Sequence, residues 1–135
     1  MSECRACLIF CMDFRFREKL DAFLVEEGLD RDGVDVIRVA GASYSLARPR
    51  EPGDREFLMR QLELSRRLHG VRQIYLVHHE DCGAYGAEDV PDDVEEAALH
   101  AEDLGSVRKL LEERFPGMEI LTYFLRLDGR AQPIG

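Results

Sequence analysis

The chain has 135 residues, 45% hydrophobic and 33% charged, and its 18 Lys and Arg against 27 Asp and Glu leave a formal net charge of −9. That length suits one domain, 1–135, able to bury a core without disulfide or metal staples. The acidic balance argues against a nucleic-acid or anionic-membrane partner, because both need clustered Lys and Arg. No apolar run approaches the length of a membrane span. The opening Met-Ser-Glu-Cys-Arg lacks the basic and apolar regions of a signal peptide. A reducing, cytoplasmic setting is therefore expected, in which the four cysteines are free, catalytic or metal-bound rather than paired.

Arg5 to Met12 is a short apolar run of the kind that forms a strand buried on both faces. Phe14 to Glu27 follows with helical spacing of Phe16, Leu20, Phe23 and Leu24, and Gly28 stands where such a helix stops. Val34 to Val39 reads as a second strand leading into Ala40-Gly41-Ala42, and Pro49 and Pro52 mark the loop beyond it. Asp54 is placed to cap a helix running to His69, with Gly70 as its stop. Gln73 to His78 is a third strand. A long acidic helix is expected from Asp92 to Arg114, broken by Pro116-Gly117, and Met118 to Leu127 is a fourth strand ending at an Asp128-Gly129 turn and a short tail.

Strands alternating with helices predict an α/β fold of three layers, with a mostly parallel four-stranded sheet and helices on both faces. Ligands in such sheets bind beyond the carboxyl ends of the strands, where the strand order reverses. Cys11 ends the first strand and His79-Glu80-Asp81-Cys82 follows the third. If those strands are neighbours, both fragments meet at that point.

Two thiols and an imidazole suit zinc better than magnesium or calcium, which prefer oxygen. Three protein ligands leave a fourth position for water or a carboxylate, the layout of a catalytic rather than a structural centre. A water held there has its pKa lowered toward neutrality and becomes a nucleophile. Asp13 lies close enough to accept a hydrogen bond from such a water or to bind the metal itself. Arg15 can pair with Asp13 and keep it ionised and off the metal. Gly83 is expected to relieve crowding beside the Cys82 sulfur.

Other residues fit blander roles. Cys7 reads as core, Cys4 as incidental, and His78 as a packed group pointing to the opposite side of its strand from His79. His69 and His100 fall on helices as surface residues, and the acidic run Glu88 to Glu96 reads as a solvated loop and helix start. Cys11 to Arg17 has the Cys-x5-Arg spacing of cysteine phosphatases. It lacks the glycine that lets backbone N–H groups converge on an anion, and it carries Asp13.

Cys11-x-Asp13-x-Arg15, then Arg38-Val39-Ala40-Gly41, then His79-x-x-Cys82-Gly83 resembles the β-class carbonic anhydrases, over roughly Cys7 to Leu127. The resemblance implies zinc held by Cys11, His79 and Cys82, with Asp13 and Arg15 as a gating pair. It also implies a homodimer or higher homo-oligomer with the active site near the subunit contact. The activity implied is reversible hydration of carbon dioxide to bicarbonate by a zinc-bound hydroxide. Relatives with this metal motif hydrolyse carbonyl sulfide or carbon disulfide, and a non-catalytic zinc-binding protein is the third alternative. Val39 and Ala42 replace asparagines of the usual family pattern, and the family's N-terminal helical arm has no counterpart before the first strand.

Overall fold

A computed structural model describes residues 2–86 and 93–135. The first strand, β1 (Ala6–Phe10), is buried throughout and leads through a short 3-10 turn (Phe14–Phe16) into α1 (Arg17–Glu26). Gly28, at φ 72°, ends that helix as expected and opens a single further turn, α2 (Leu29–Asp32). Next come β2 (Val34–Arg38), the short α3 (Tyr44–Ala47) and α4 (Pro52–His69). Asp54 caps α4 from inside its first turn, accepting the Glu51 N–H at 3.3 Å, and Gly70 closes it at φ 62°. Then follow β3 (Gln73–His79), α5 (Asp93–Arg114), β4 (Glu119–Leu125) and β5 (Ala131–Pro133). Most of the acidic stretch ahead of α5, residues 87–92, lies outside the described residues.

The sheet order is β2-β1-β3-β4-β5. The first four strands pair in parallel, and β5 runs antiparallel to β4, with Leu125 opposite Ala131. The sheet therefore has five strands rather than four. The Asp128-Gly129 turn returns the expected tail along β4, a three-residue strand too short and too polar to show a strand pattern.

Side-chain alternation along β1 sorts the two cores. Cys7 and Ile9 face α3, α4 and α5 with Leu46, Leu58, Leu62, Leu104 and Leu111. Ala6, Leu8 and Phe10 face α1 and α2 with Phe16, Leu20, Phe23 and Leu29. Both faces are covered, which explains why β1 and β3 read as continuous apolar runs. β1 leads outward to β2 on one side, while β3 and β4 build on the other. The order thus reverses between β1 and β3, which pair from Ala6↔Gln73 to Ile9↔Leu76, and that reversal opens a crevice at the carboxyl ends of these two strands.

Candidate metal centre

Three side chains converge in that crevice. One donor atom from each of Cys11, His79 and Cys82 lies within 4.8 Å of the others, and all three residues are buried. Cys11 is the first residue past β1, His79 the last of β3, and Cys82 sits in the turn after it. Parallel pairing of the two strands, up to Ile9↔Leu76, brings both strand ends to the same edge of the sheet. Asp81, at φ 59°, bends the turn so that Cys82 points back.

His79 is oriented by its own loop. Its Nδ1 lies 2.8 Å from the Glu80 carbonyl oxygen. A carbonyl can only accept, so Nδ1 carries the proton and Nε2 presents a bare lone pair. Phe16, with ring centroids 4.4 Å apart, and Phe10, at 5.7 Å, hold the ring. That Nε2 is buried and has no hydrogen-bond partner, an arrangement that costs free energy unless something electron-accepting sits there. Two facing thiols complete a donor set matched to a borderline-soft ion such as zinc. The residues fit a metal.

The sulfurs are electronically unequal. The neighbouring Cys82 thiol, with the Gly41 N–H, holds the Cys11 thiol far below its ordinary range, against the opposing effect of burial. The same contact, with burial, drives the Cys82 thiol up. Gly41 donates to Cys11 Sγ at 3.4 Å. Its φ is 77°, and an added Cβ would fall 2.7 Å from Tyr44 Cβ and 2.9 Å from Ala84 Cβ. Glycine is thus required at position 41. At Gly83 an added Cβ would meet nothing within 4 Å, so the crowding expected there is absent.

Asp13 and Arg15 stand at the mouth. Asp13 Oδ2 is 3.9 Å from His79 Nε2, and Arg15 grips the carboxylate through Nη2 at 2.7 Å and Nε at 3.1 and 3.2 Å. The guanidinium holds the Asp13 carboxyl down to about 2, against the opposing effect of burial. Arg15 also donates to the Asp81 carboxylate at 3.0 Å and the Asp81 carbonyl at 2.8 Å, tying the two strand-end loops together. Arg38 braces the first loop, donating to the carbonyls of Cys11 and Asp13, both at 2.9 Å.

A second layer of polar groups lies beneath. Glu96 of α5 accepts the Asp81 N–H at 2.8 and 2.9 Å and the Cys82 N–H at 3.3 Å. His100, expected at the surface, is fully buried, because α5 turns the stripe Glu96, His100, Asp103 (i, i+4, i+7) toward the crevice. Its Nδ1 is 2.8 Å from His78 Nδ1, and Ser43 Oγ is 2.6 Å from His78 Nε2. His100 Nε2 lies 3.9 Å from the Glu96 carboxylate, beyond hydrogen-bond length, and is buried without a partner. Burial pushes the His100 imidazole down to about 4 and His78 well below its ordinary value. Tyr85 donates to Asp103 at 2.8 Å, and Arg48 pairs with the same carboxylate at 3.0 Å. Glu96, expected at the solvated start of the helix, is buried instead, and Ser43, Asp103 and Arg48 did not stand out in the sequence. The i, i+4, i+7 spacing of the three polar residues on α5 was the available signal.

The fold is similar to that of the carbonic anhydrase from Streptococcus mutans, with a TM-score of 0.64 and 21% identity over 99% of this chain and 83% of that one. A tetrameric β-carbonic anhydrase from Sordaria macrospora superposes at a TM-score of 0.60, with 19% identity over 100% of this chain and 82% of that one. The architecture is thus that of the β-carbonic anhydrases. The family model described as "Putative carbonic anhydrase" matches residues 1–135, and an uncharacterised protein of Rickettsia conorii is 30% identical over 138 residues, 99% of this chain and 74% of that protein. The chain belongs to this carbonic anhydrase family.

Proposed function

We propose that the protein holds zinc through Cys11, His79 and Cys82 and hydrates carbon dioxide reversibly to bicarbonate. The observation that carries this reading is His79 Nε2, a buried lone pair with no partner, facing two thiols, while Asp13 is held 3.9 Å away. Zinc, when bound, supplies a Lewis acid and a water whose pKa is lowered toward neutrality.

The chain's own groups do the rest. Asp13, ionised through its pairing with Arg15, can only accept hydrogen bonds, so it orients a hydroxyl-bearing group at the mouth of the site by its proton. Arg15 keeps that carboxylate turned from the His79 nitrogen, leaving an open position. Phe10 and Phe16 exclude water from the rear of His79. Glu96 fixes the Cys82 loop by its N–H groups.

The same reading extends to assembly. Met12 and Phe14, flanking the Asp13 loop, are 63% and 85% exposed, an apolar pair beside the site that suits burial against a second copy. A homo-oligomer is accordingly part of the proposal, and a monomer by light scattering would remove it. All four cysteines are free, which suits a reducing cytoplasmic setting. No described helix is long and apolar enough to cross a membrane.

Stopped-flow carbon dioxide hydration by zinc-loaded protein tests the activity. Turnover lost in Asp13→Asn and Arg15→Ala, with zinc retained, is the expected result. A rate no higher than free zinc gives would sink the reading, and hydrogen sulfide release from carbonyl sulfide would redirect it.

A further inference from the structure

At the opposite end of the sheet lies a second convergence of donors that the active site does not use. Cys4 precedes β1, Asp35 is the second residue of β2, and His69 is the last residue of α4. One donor atom from each lies within 4.8 Å of the others. From Cys4 to Cys11 the chain is extended along β1, so the two clusters stand roughly 20 Å apart.

Several features set this group apart from an ordinary surface ion pair. Asp35 interrupts the apolar run Val34-Asp35-Val36-Ile37 inside a strand, where Asp is disfavoured. Its carboxylate is held by two donors on one oxygen, Ser65 Oγ at 2.6 Å and His69 Nδ1 at 2.7 Å, leaving its other oxygen without a bond to either. Such hydroxyl support is the usual companion of a ligating carboxylate. The Cys4 N–H donates to the His69 carbonyl at 3.0 Å, fixing the thiol-bearing residue to the end of α4. Gly33, at φ 90°, permits the approach, since an added Cβ there would fall 2.7 Å from Cys4 Cβ.

From these donors we infer a second divalent-metal site, Cys4–Asp35–His69, of the zinc class. A thiolate, an imidazole and a carboxylate form a mixed set that such ions accept and that magnesium and calcium do not. Bond lengths of about 2.0–2.3 Å give donor separations of roughly 3.3–3.7 Å around a tetrahedral ion, so the Cys4 sulfur closes by at most about 1–1.5 Å, while His69 Nδ1 and Asp35 Oδ2, now 2.7 Å apart, open slightly as the proton between them leaves to solvent. Rotation of the Cys4 and Asp35 side chains supplies that. The Asp35 carboxylate beside the Cys4 sulfur supplies negative charge that attracts a cation. A cleft of about 690 Å³, lined by Glu3, Cys4, Arg5, Asp32, Gly70 and Arg72, opens the Cys4 side of the cluster to solvent. The site sits at the amino ends of the parallel strands, away from the catalytic crevice. Its effect is to clip the segment before β1 to β2 and α4.

The test is zinc stoichiometry after equilibrium dialysis of the full chain in reducing buffer at neutral pH, with the two clusters separated by mutation. About two ions per chain are expected, falling to about one in Cys4→Ser, in His69→Gln and in Cys11→Ser. The Cys4→Ser/Cys11→Ser chain should bind none, with the affinity of the second site falling more than the roughly 100-fold that losing an outer-shell partner costs. In Cys11→Ser, cobalt should give a thiolate charge-transfer band that Cys4→Ser abolishes, and zinc should raise Tm only while Cys4 is present. A single ion lost with Cys11, or two ions retained by both Cys4→Ser and His69→Gln, would overturn the inference. A single ion lost with Cys4 and kept by Cys11→Ser would uphold it and defeat the catalytic-site reading instead.

Discussion

Replacing Glu96 with Ala should destabilise the protein and loosen its metal site together. The carboxylate is 7% exposed and accepts two backbone N–H groups, one short and shared between both oxygens, the other at 3.3 Å. Hydrogen bonds to a charged acceptor contribute about 1.5–3 kcal/mol each, and the longer one belongs at or below the lower end. Asp81 adds to the demand. Its φ of 59° is a left-handed conformation that costs a non-glycine residue about 1–2 kcal/mol, and Glu96 holds it there together with Arg15. Part of that strain is released in the variant, so the expected net loss is about 2–4 kcal/mol. Urea unfolding of the metal-free chain would read this as a lower midpoint at unchanged slope. Zinc affinity by chelator competition should fall about 10–100-fold, the usual effect of losing an outer-shell partner. Glu96→Gln keeps one acceptor oxygen and should lose about half as much. A Glu96→Ala chain within about 0.5 kcal/mol of the parent, with unchanged zinc affinity, would refute the positioning argument.

Other outcomes follow from the same geometry. Cys11→Ser should lose most zinc affinity at the crevice, whereas Cys7→Ser, altering a fully buried core residue, should keep it at a cost in stability; equal retention would show the ligand set to be wrong. His100, neutral in the fold with its pKa pushed down to about 4, takes up its proton in the unfolded chain at a pKa of about 6.5. Its contribution should therefore be complete above that value, fall as pH drops from about 6.5 to about 4, and level off below. Stability against pH should be flatter across that window in His100→Phe, and an unchanged slope would contradict its burial as a neutral group. Gly41→Ala should cost about 2 kcal/mol or more, through its positive φ and the clash with Tyr44 and Ala84, and should reduce zinc affinity by displacing the N–H on Cys11; a chain as stable as the parent would speak against the tight approach.

The parallel sheet was legible because both its faces are covered, so β1 and β3 carry uninterrupted apolar runs and α1 and α4 carry clear stops at Gly28 and Gly70. The strand order then placed Cys11 beside His79 without any further assumption. β5 was not legible, since Ala131–Pro133 has neither length nor alternation and pairs only because a turn returns it along β4. Nor was the buried polar layer. A helix stripe of Glu, His and Asp has the pattern of a solvent face, and only the docking of α5 over the crevice reverses its meaning. His69 does lie on a helix with its side chain 39% exposed, but its bond to Asp35 of β2 was not legible. Polar residues become readable when their partners are known, and those partners are 34 residues away for His69 and 22 for His100 from His78.

The Arg38 braces bear on how such a protein lives with scarcity. Both ligand loops are secured by the chain itself, through Arg38 on two carbonyls, Arg15 across the crevice and Glu96 beneath. If the chain holds zinc as proposed, its folding would not wait for the ion, unlike that of a zinc finger. A cell starved of metal would then keep an intact pool of this protein, with its abundance uncoupled from its loading. Supply of the ion, not new synthesis, would set how quickly that pool became loaded.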